Sequence, residues 1–108
     1  MRVKDQRRHQ RFALRLPLEL VRSGSQRFRK LGETRNLSST GVLFTSDAPV
    51  QVGEPIEYLI TLPSGEDGDV VRLRCLGKVV RFERRALESE AAPAVAATLE
   101  RFEFIRNR

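Results

Sequence analysis

Arg7, Arg8 and Arg11 stand in one short run, Arg7-Arg8-His9-Gln10-Arg11, and a polar loop follows at Asn36-Leu37-Ser38-Ser39-Thr40-Gly41. Guanidinium groups make paired hydrogen bonds to phosphate oxygens and also fit the O6/N7 edge of guanine. Arg7 and Arg11, four residues apart, fall on the same side of the chain in a strand or a helix, so two forks converge on one ligand in either form. Arg8 points elsewhere in an extended chain but can swing in. Asn36 and Ser38 share a face at a strand end while Leu37 turns to the core. The amide both donates and accepts, and the hydroxyl serves either way. Gly41 supplies a backbone angle or a close approach that a side chain would block. These residue types suit an anionic ligand that also carries planar base edges, and a guanine nucleotide offers both. Asn36 and Ser38 are equally at home in a turn that only shapes the chain.

Other chemistry finds little support. His9 is the single histidine and has no cysteine nearby, which argues against a metal. Cys75 is the single cysteine; at mid-strand it reads as a small core hydrophobe. Asp67 and Asp69 sit in an acidic run without a calcium-loop pattern. No nucleophile–base–orienter set can be assembled, so no enzymatic activity and no cofactor is expected.

The arginines belong to a basic end. Residues 1–30 hold ten Arg and Lys against two acids, a net +8, whereas residues 31–108 hold ten against twelve, a net −2. A focused positive end concentrates an anionic ligand or surface near it, although an arginine-rich tail can also be merely solubilising. The 108 residues make one domain, and 40% apolar content suffices for a small core. The chain carries no apolar stretch of the length of a membrane span and no signal-like N-terminus. With one cysteine, the expected location is the cytoplasm.

The elements that must position these residues are short strands. Residues 1–11 carry almost no apolar content and read as a mobile basic arm; the barrel is expected over 12–108. From Phe12, Leu14, Leu16, Leu18 and Leu20 alternate with other residues at period two. Pro17 suggests that this strand lies at an edge or beside a bulge. Ser23-Gly24-Ser25-Gln26 is a turn, and a weak strand over about 28–37 is interrupted by Gly32. Val42, Leu43 and Phe44 form a short core run after Gly41. Ile56, Tyr58, Ile60 and Leu62 share one face of the next strand. Residues 63–69 form an acidic hairpin loop, and 70–82 a long strand with a bulge at Gly77. Residues 83–93 fit a loop or a frayed helical turn. Val95, Ala97 and Leu99 alternate, then Phe102 and Phe104 continue on the opposite parity, which places a bulge near Glu100-Arg101. About six strands without a long helix predict a small antiparallel barrel.

Arg7-x-x-x-Arg11 followed by Asn36-x-Ser38-x-x-Gly41 resembles the two-part signature of PilZ domains, bacterial receptors for the second messenger cyclic di-GMP. The resemblance runs from Arg7 to about Ile105. It implies an all-β, six-stranded split barrel, often with an added C-terminal helix; with Arg108 as the last residue, that helix is expected to be short or missing. It also implies that Arg7 and Arg11 contact guanine and phosphate, and that Arg8 is an added donor. The family's first loop position is Asp or Asn. Asn36 forgoes the charge that would strengthen a bond to the guanine N1/N2 donors. The position before the glycine is often basic in the family and here is Thr40. Gln6 stands where a further arginine would help hold a stacked pair of ligands, which favours one ligand per chain.

The leading function is therefore a cyclic di-GMP receptor whose arm changes conformation on binding and signals to a protein partner in trans. Two alternatives stand beside it. One is a small basic barrel that binds single-stranded nucleic acid; 6% aromatic content, with Phe44, Phe82, Phe102 and Phe104 expected in the core, weighs against it. The other is a PilZ-like interaction module without ligand, against which stand the intact Arg7, Arg11, Asn36, Ser38 and Gly41.

Overall fold

The computed structural model describes residues 13–63, 70–83 and 93–107. Seven strands follow one another: β1 (Pro17–Ser23), β2 (Gln26–Leu37), β3 (Gly41–Thr45), β4 (Pro55–Leu62), β5 (Val70–Glu83), β6 (Ala94–Thr98) and β7 (Arg101–Asn107). The described residues include no helix. The lateral order is β4-β1-β2-β3-β6-β5, and β5 pairs back onto β4, so six antiparallel strands close a barrel. β7 is an addition on β5.

β5 is long enough to take two strands end to end along one edge. β6 lies opposite Val79 to Glu83, and β7 opposite Val70 to Leu76. The phase slip expected near Glu100-Arg101 is the junction between them: Glu100 N donates to the Leu76 carbonyl (2.8 Å) while Arg101 also stands opposite Leu76.

The period-two patterns become the core. Leu18 and Leu20 from β1, Val42 and Phe44 from β3, Ile56, Tyr58 and Ile60 from β4, and Cys75 and Val79 from β5 all point inward and are buried. Tyr58 and Phe44 stack with ring centroids 5.9 Å apart. The Tyr58 hydroxyl stays satisfied by donating to the Thr98 carbonyl (3.0 Å), and burial pushes its phenol well above the ordinary value. Burial likewise pushes the Cys75 thiol up to about 12, which keeps it unreactive.

Several local expectations are corrected by the tertiary pairing. β1 is not an edge strand, since it pairs with both β2 and β4; the irregularity it carries falls between Leu20 and Arg22, three residues beyond Pro17. Pro17 opens the strand and pairs with β2 alone, and a strand's first position tolerates a missing N–H. Gly32 does not interrupt β2 but pairs opposite Leu18. The bulge of β5 is not at Gly77, where the register against β4 is unbroken, but between Val79 and Arg81 on the β6 side. Leu14 is exposed and precedes β1. Leu43 is only half-buried, because its parity is opposite to that of Val42 and Phe44. Phe44 is core and Phe82 packs partly against it, but Phe102 and Phe104 are 56% and 66% exposed. Both stand opposite core residues of β5, Cys75 and Leu73. The barrel closes through β6 farther along β5, so nothing among the described residues covers that face of β7. The tip of the acidic hairpin (64–69) and most of the segment of undecided form (84–92) lie outside the described residues.

Four adjacent strands are laced on the outside by alternating charges. Glu57 on β4 accepts from Arg22 on β1 (3.3 Å) and from Arg74 on β5 (2.7 Å), and Arg74 also donates to Glu103 on β7 (3.2 Å). Partial burial pushes the Glu57 carboxyl up, but the hydrogen bonds from Arg74 and Arg22 outweigh this and hold it below its ordinary 4.5. A carboxyl more acidic in the folded than in the unfolded chain favours folding while it is ionised. That stabilisation is complete above pH 4.5 and is lost as pH falls through the folded value. Urea midpoints should therefore drop on acidification below that point, and Glu57→Gln should flatten the drop. An acid limb of equal steepness in both proteins would remove Glu57 as its source.

Candidate functional site

The β2–β3 turn is built by one hydroxyl. Ser38 Oγ accepts from the Thr40 N–H (3.3 Å) and the Gly41 N–H (3.2 Å), while Ser38 N donates to the Gly41 carbonyl (2.9 Å). Such local bonds are how serine shapes a tight turn. Gly41 does not adopt positive φ, so of the two roles expected for it only close approach applies: a Cβ there would sit 3.1 Å from the Ala97 carbonyl. Asn36 follows an irregularity of β2 between Thr34 and Asn36 and pairs with Leu43.

Outward-facing residues line up across four strands. Asn36 on β2 is opposite Leu43 on β3, Leu43 opposite Ala96 on β6, and Ala96 opposite Arg81 on β5. A second row sets Gly41 opposite Thr98. The two central strands thus contribute Gly41 and Ala96, which leave room beside Leu43 and between the larger residues on either side. The result is an open groove of about 370 Å³ bordered by Asn36, Ser38 and Thr40 at one side and Val80 and Arg81 at the other. The volume lies within the range of small-ligand sites, roughly 300–1,000 Å³.

Thr98 is held from both sides of the sheet. Its carbonyl accepts from Tyr58, and its hydroxyl accepts from Lys78 N (2.8 Å) and donates to Glu100 (2.8 Å). The groove's edge at Thr98 is therefore tied into the core. Gly77 makes room for it, since a Cβ at Gly77 would overlap the Thr98 carbonyl.

A buried hydroxyl fixes where the chain enters the barrel. Thr34 Oγ1 accepts from Leu16 N (2.9 Å) and donates to the Leu14 carbonyl, and Thr34 N donates to the Leu16 carbonyl (2.9 Å). The residues just before β1 are thereby pinned to β2 two positions from Asn36.

Of the residues expected at the site, Asn36, Ser38 and Gly41 are brought to one groove. Arg7, Arg8 and Arg11, with His9, lie outside the described residues. Sequence reasoning did not single out Arg81 or Thr98. Simple alternation from Gly77 through Val79 would turn Arg81 inward, and only the irregularity at Val80 turns it outward. Among the described residues no group of three or more His, Cys, Asp or Glu is placed to hold a metal ion, and no helix is long and apolar enough to cross a membrane.

The PilZ domain family model matches residues 5–104. No curated protein and no solved structure matches the chain. The matched span takes in the arginine run, the Asn36–Gly41 loop and almost all of the barrel, and a match of that extent makes this chain a member of the PilZ domain family, a family of cyclic di-GMP-binding receptor domains.

Proposed function

We propose that this chain is a cyclic di-GMP receptor that holds its ligand between the basic arm, residues 1–11, and the outer groove of the barrel that follows from residue 12. The observation that carries the reading is the tether at Thr34. Leu14 is pinned to β2, and Arg11 is three residues away from it, about 10 Å of extended chain at most. Asn36 is two residues beyond Thr34, about 7 Å at most. Arg7, Arg8 and Arg11 can therefore be brought over the groove that Asn36, Ser38 and Gly41 border.

In this arrangement Arg7 and Arg11 supply paired donors to phosphate oxygens and to a guanine edge, and Arg8 adds a third guanidinium. Asn36 offers its amide to a base edge, and Ser38 offers its proton by turning it from the Gly41 carbonyl, 3.3 Å away, to the ligand. The small residues Gly41 and Ala96 let planar groups approach the sheet. The module catalyses nothing and needs no cofactor. It works in the cytoplasm, where a lone buried cysteine stays reduced. Like charges keep the free arm extended, and a ligand with two phosphates offsets their repulsion and orders the arm, which a protein partner then reads in trans.

Isothermal titration with cyclic di-GMP tests this directly. Binding should be low micromolar or tighter, about −8 kcal/mol, with one ligand per chain. Cyclic di-AMP should bind far more weakly, because adenine presents a donor where the fork needs O6. Equal affinity for the two would leave only a general anion site. The exposed phenylalanines of β7 weaken the compositional argument against nucleic acid, so single-stranded RNA belongs in the same titration as competitor. Displacement of cyclic di-GMP at equal nucleotide concentration would favour that function instead. Amide exchange reads the switch: saturating ligand should protect residues 6–12 and 36–41 and leave 63–69 unchanged.

A further inference from the structure

We infer that Lys78 is a further ligand-contacting residue, its ammonium holding a phosphate at the β5 wall of the groove; the inference rests on the receptor reading above. β5 alternates here: Gly77 and Val79 are buried, and Lys78 between them is exposed on the outer face. Its place across the sheet follows from the groove's second row. Gly41 on β3 stands opposite Thr98 on β6, and Lys78 N donates to the Thr98 hydroxyl (2.8 Å), which makes Lys78 the next residue of that row. Thr98 itself lines the groove. Lys78 is therefore one strand spacing, about 5 Å, beyond the groove wall, a distance its flexible four-carbon stem covers. Gly41 has no side chain, so nothing tall stands in that row.

The irregularity of β5 gives Lys78 company. Residues three apart on an unbroken strand face opposite sides of the sheet. The register shift between Val79 and Arg81 removes that opposition. Arg81 then takes the groove's first row, opposite Ala96, and Lys78 its second, on the same outer face. The two cations stand three strand spacings, about 14 Å, from the side that Asn36 borders. Lys78 makes no ion pair among the described residues. Glu100, bonded to the other side of the Thr98 hydroxyl (2.8 Å), does not pair with it either. A cyclic dinucleotide carries two phosphates across its ring from each other. The arm reaches the groove from the Asn36 side, so its forks take the nearer phosphate and the other is turned toward β5. An ammonium suits that second phosphate, because it binds as a point charge with three rotatable donors and needs no planar edge.

Isothermal titration of the full chain with cyclic di-GMP reads the contact. Lys78→Ala should lose about five- to tenfold in affinity. Lys78→Arg should keep most of the affinity, and Lys78→Glu should lose more than Lys78→Ala. The melts should coincide with wild type, since the side chain is exposed and the bond to Thr98 uses the backbone N–H. Arg27→Ala is the control for net charge. It removes another exposed cation, nine residues and about 30 Å along β2 from Asn36, and should titrate like wild type. A wild-type titration from Lys78→Ala would overturn the inference and leave the receptor reading standing. So would equal losses from Lys78→Ala and Arg27→Ala, or an arginine at position 78 that binds as weakly as alanine. No binding by wild type would overturn the receptor reading, and this inference with it.

Discussion

Replacing Arg7 and Arg11 together by alanine should abolish measurable cyclic di-GMP binding while leaving the melting curve in place. Each guanidinium contributes charge-assisted hydrogen bonds worth roughly 1.5–3 kcal/mol, so each single variant should lose ten- to a hundredfold in affinity. The two losses together exceed a hundredfold even at the lower bound. Both residues precede in sequence the alternating apolar run that supplies the first buried residues of the barrel, Leu18 and Leu20. The folding transition of the double variant should therefore coincide with wild type, which separates lost binding from lost structure. Ser38→Ala makes the useful contrast. Its hydroxyl already serves two turn N–H groups, so the change should cost some stability and weaken binding less than either arginine variant. A wild-type titration from the double arginine variant would sink the receptor mechanism, because Arg8 by itself cannot replace two converging forks.

Gly77→Ala should be the most destabilising single methyl that can be added to the barrel wall. β5 passes so close to Thr98 that a Cβ at Gly77 would overlap its carbonyl, and the nearest atoms are backbone rather than a movable side-chain tip. Thr98 cannot simply retreat. Its carbonyl is the acceptor for the buried Tyr58 hydroxyl, and its own hydroxyl binds Lys78 N and Glu100. Moving it costs overpacking strain of about 1–3 kcal/mol and leaves a buried phenol unsatisfied for about 1–3 kcal/mol more. The sum, about 2–6 kcal/mol, corresponds to a drop in Tm of roughly 10 °C or more for a domain of this size. Thr98 also borders the groove, so whatever fraction remains folded should bind ligand less well. A melt within a degree or two of wild type (about the effect of a surface change) would show that the strand junction yields more easily than its hydrogen bonds suggest.

Local chemistry determines much of this protein. Period-two runs such as Leu18/Leu20 and Ile56/Tyr58/Ile60 can bury one face only as strands, and their number and spacing leave little but a small barrel. The Gly24-Ser25 turn is equally legible: Ser23 pairs with Gln26 and Gly24 takes φ of 62°, as a two-residue hairpin needs. The loop from Asn36 to Gly41 was recognisable because its polar groups and glycine are close together in the chain. The tertiary structure decided whatever depended on which strand lies beside which. Alternation said that Phe102 and Phe104 share a face, but whether that face is covered depends on β6 taking the other half of β5, opposite Val79 to Glu83 rather than Leu73 and Cys75. Gly77 looked like a bulge because a glycine in a strand commonly marks one; its cause is instead the backbone of Thr98 crossing over it. Arg81 reaches the groove only through the irregularity at Val80. Side-chain parity is a property of neighbouring residues and is written in the chain, whereas coverage and close approach are properties of segments far apart in it, and exist only once the barrel has closed.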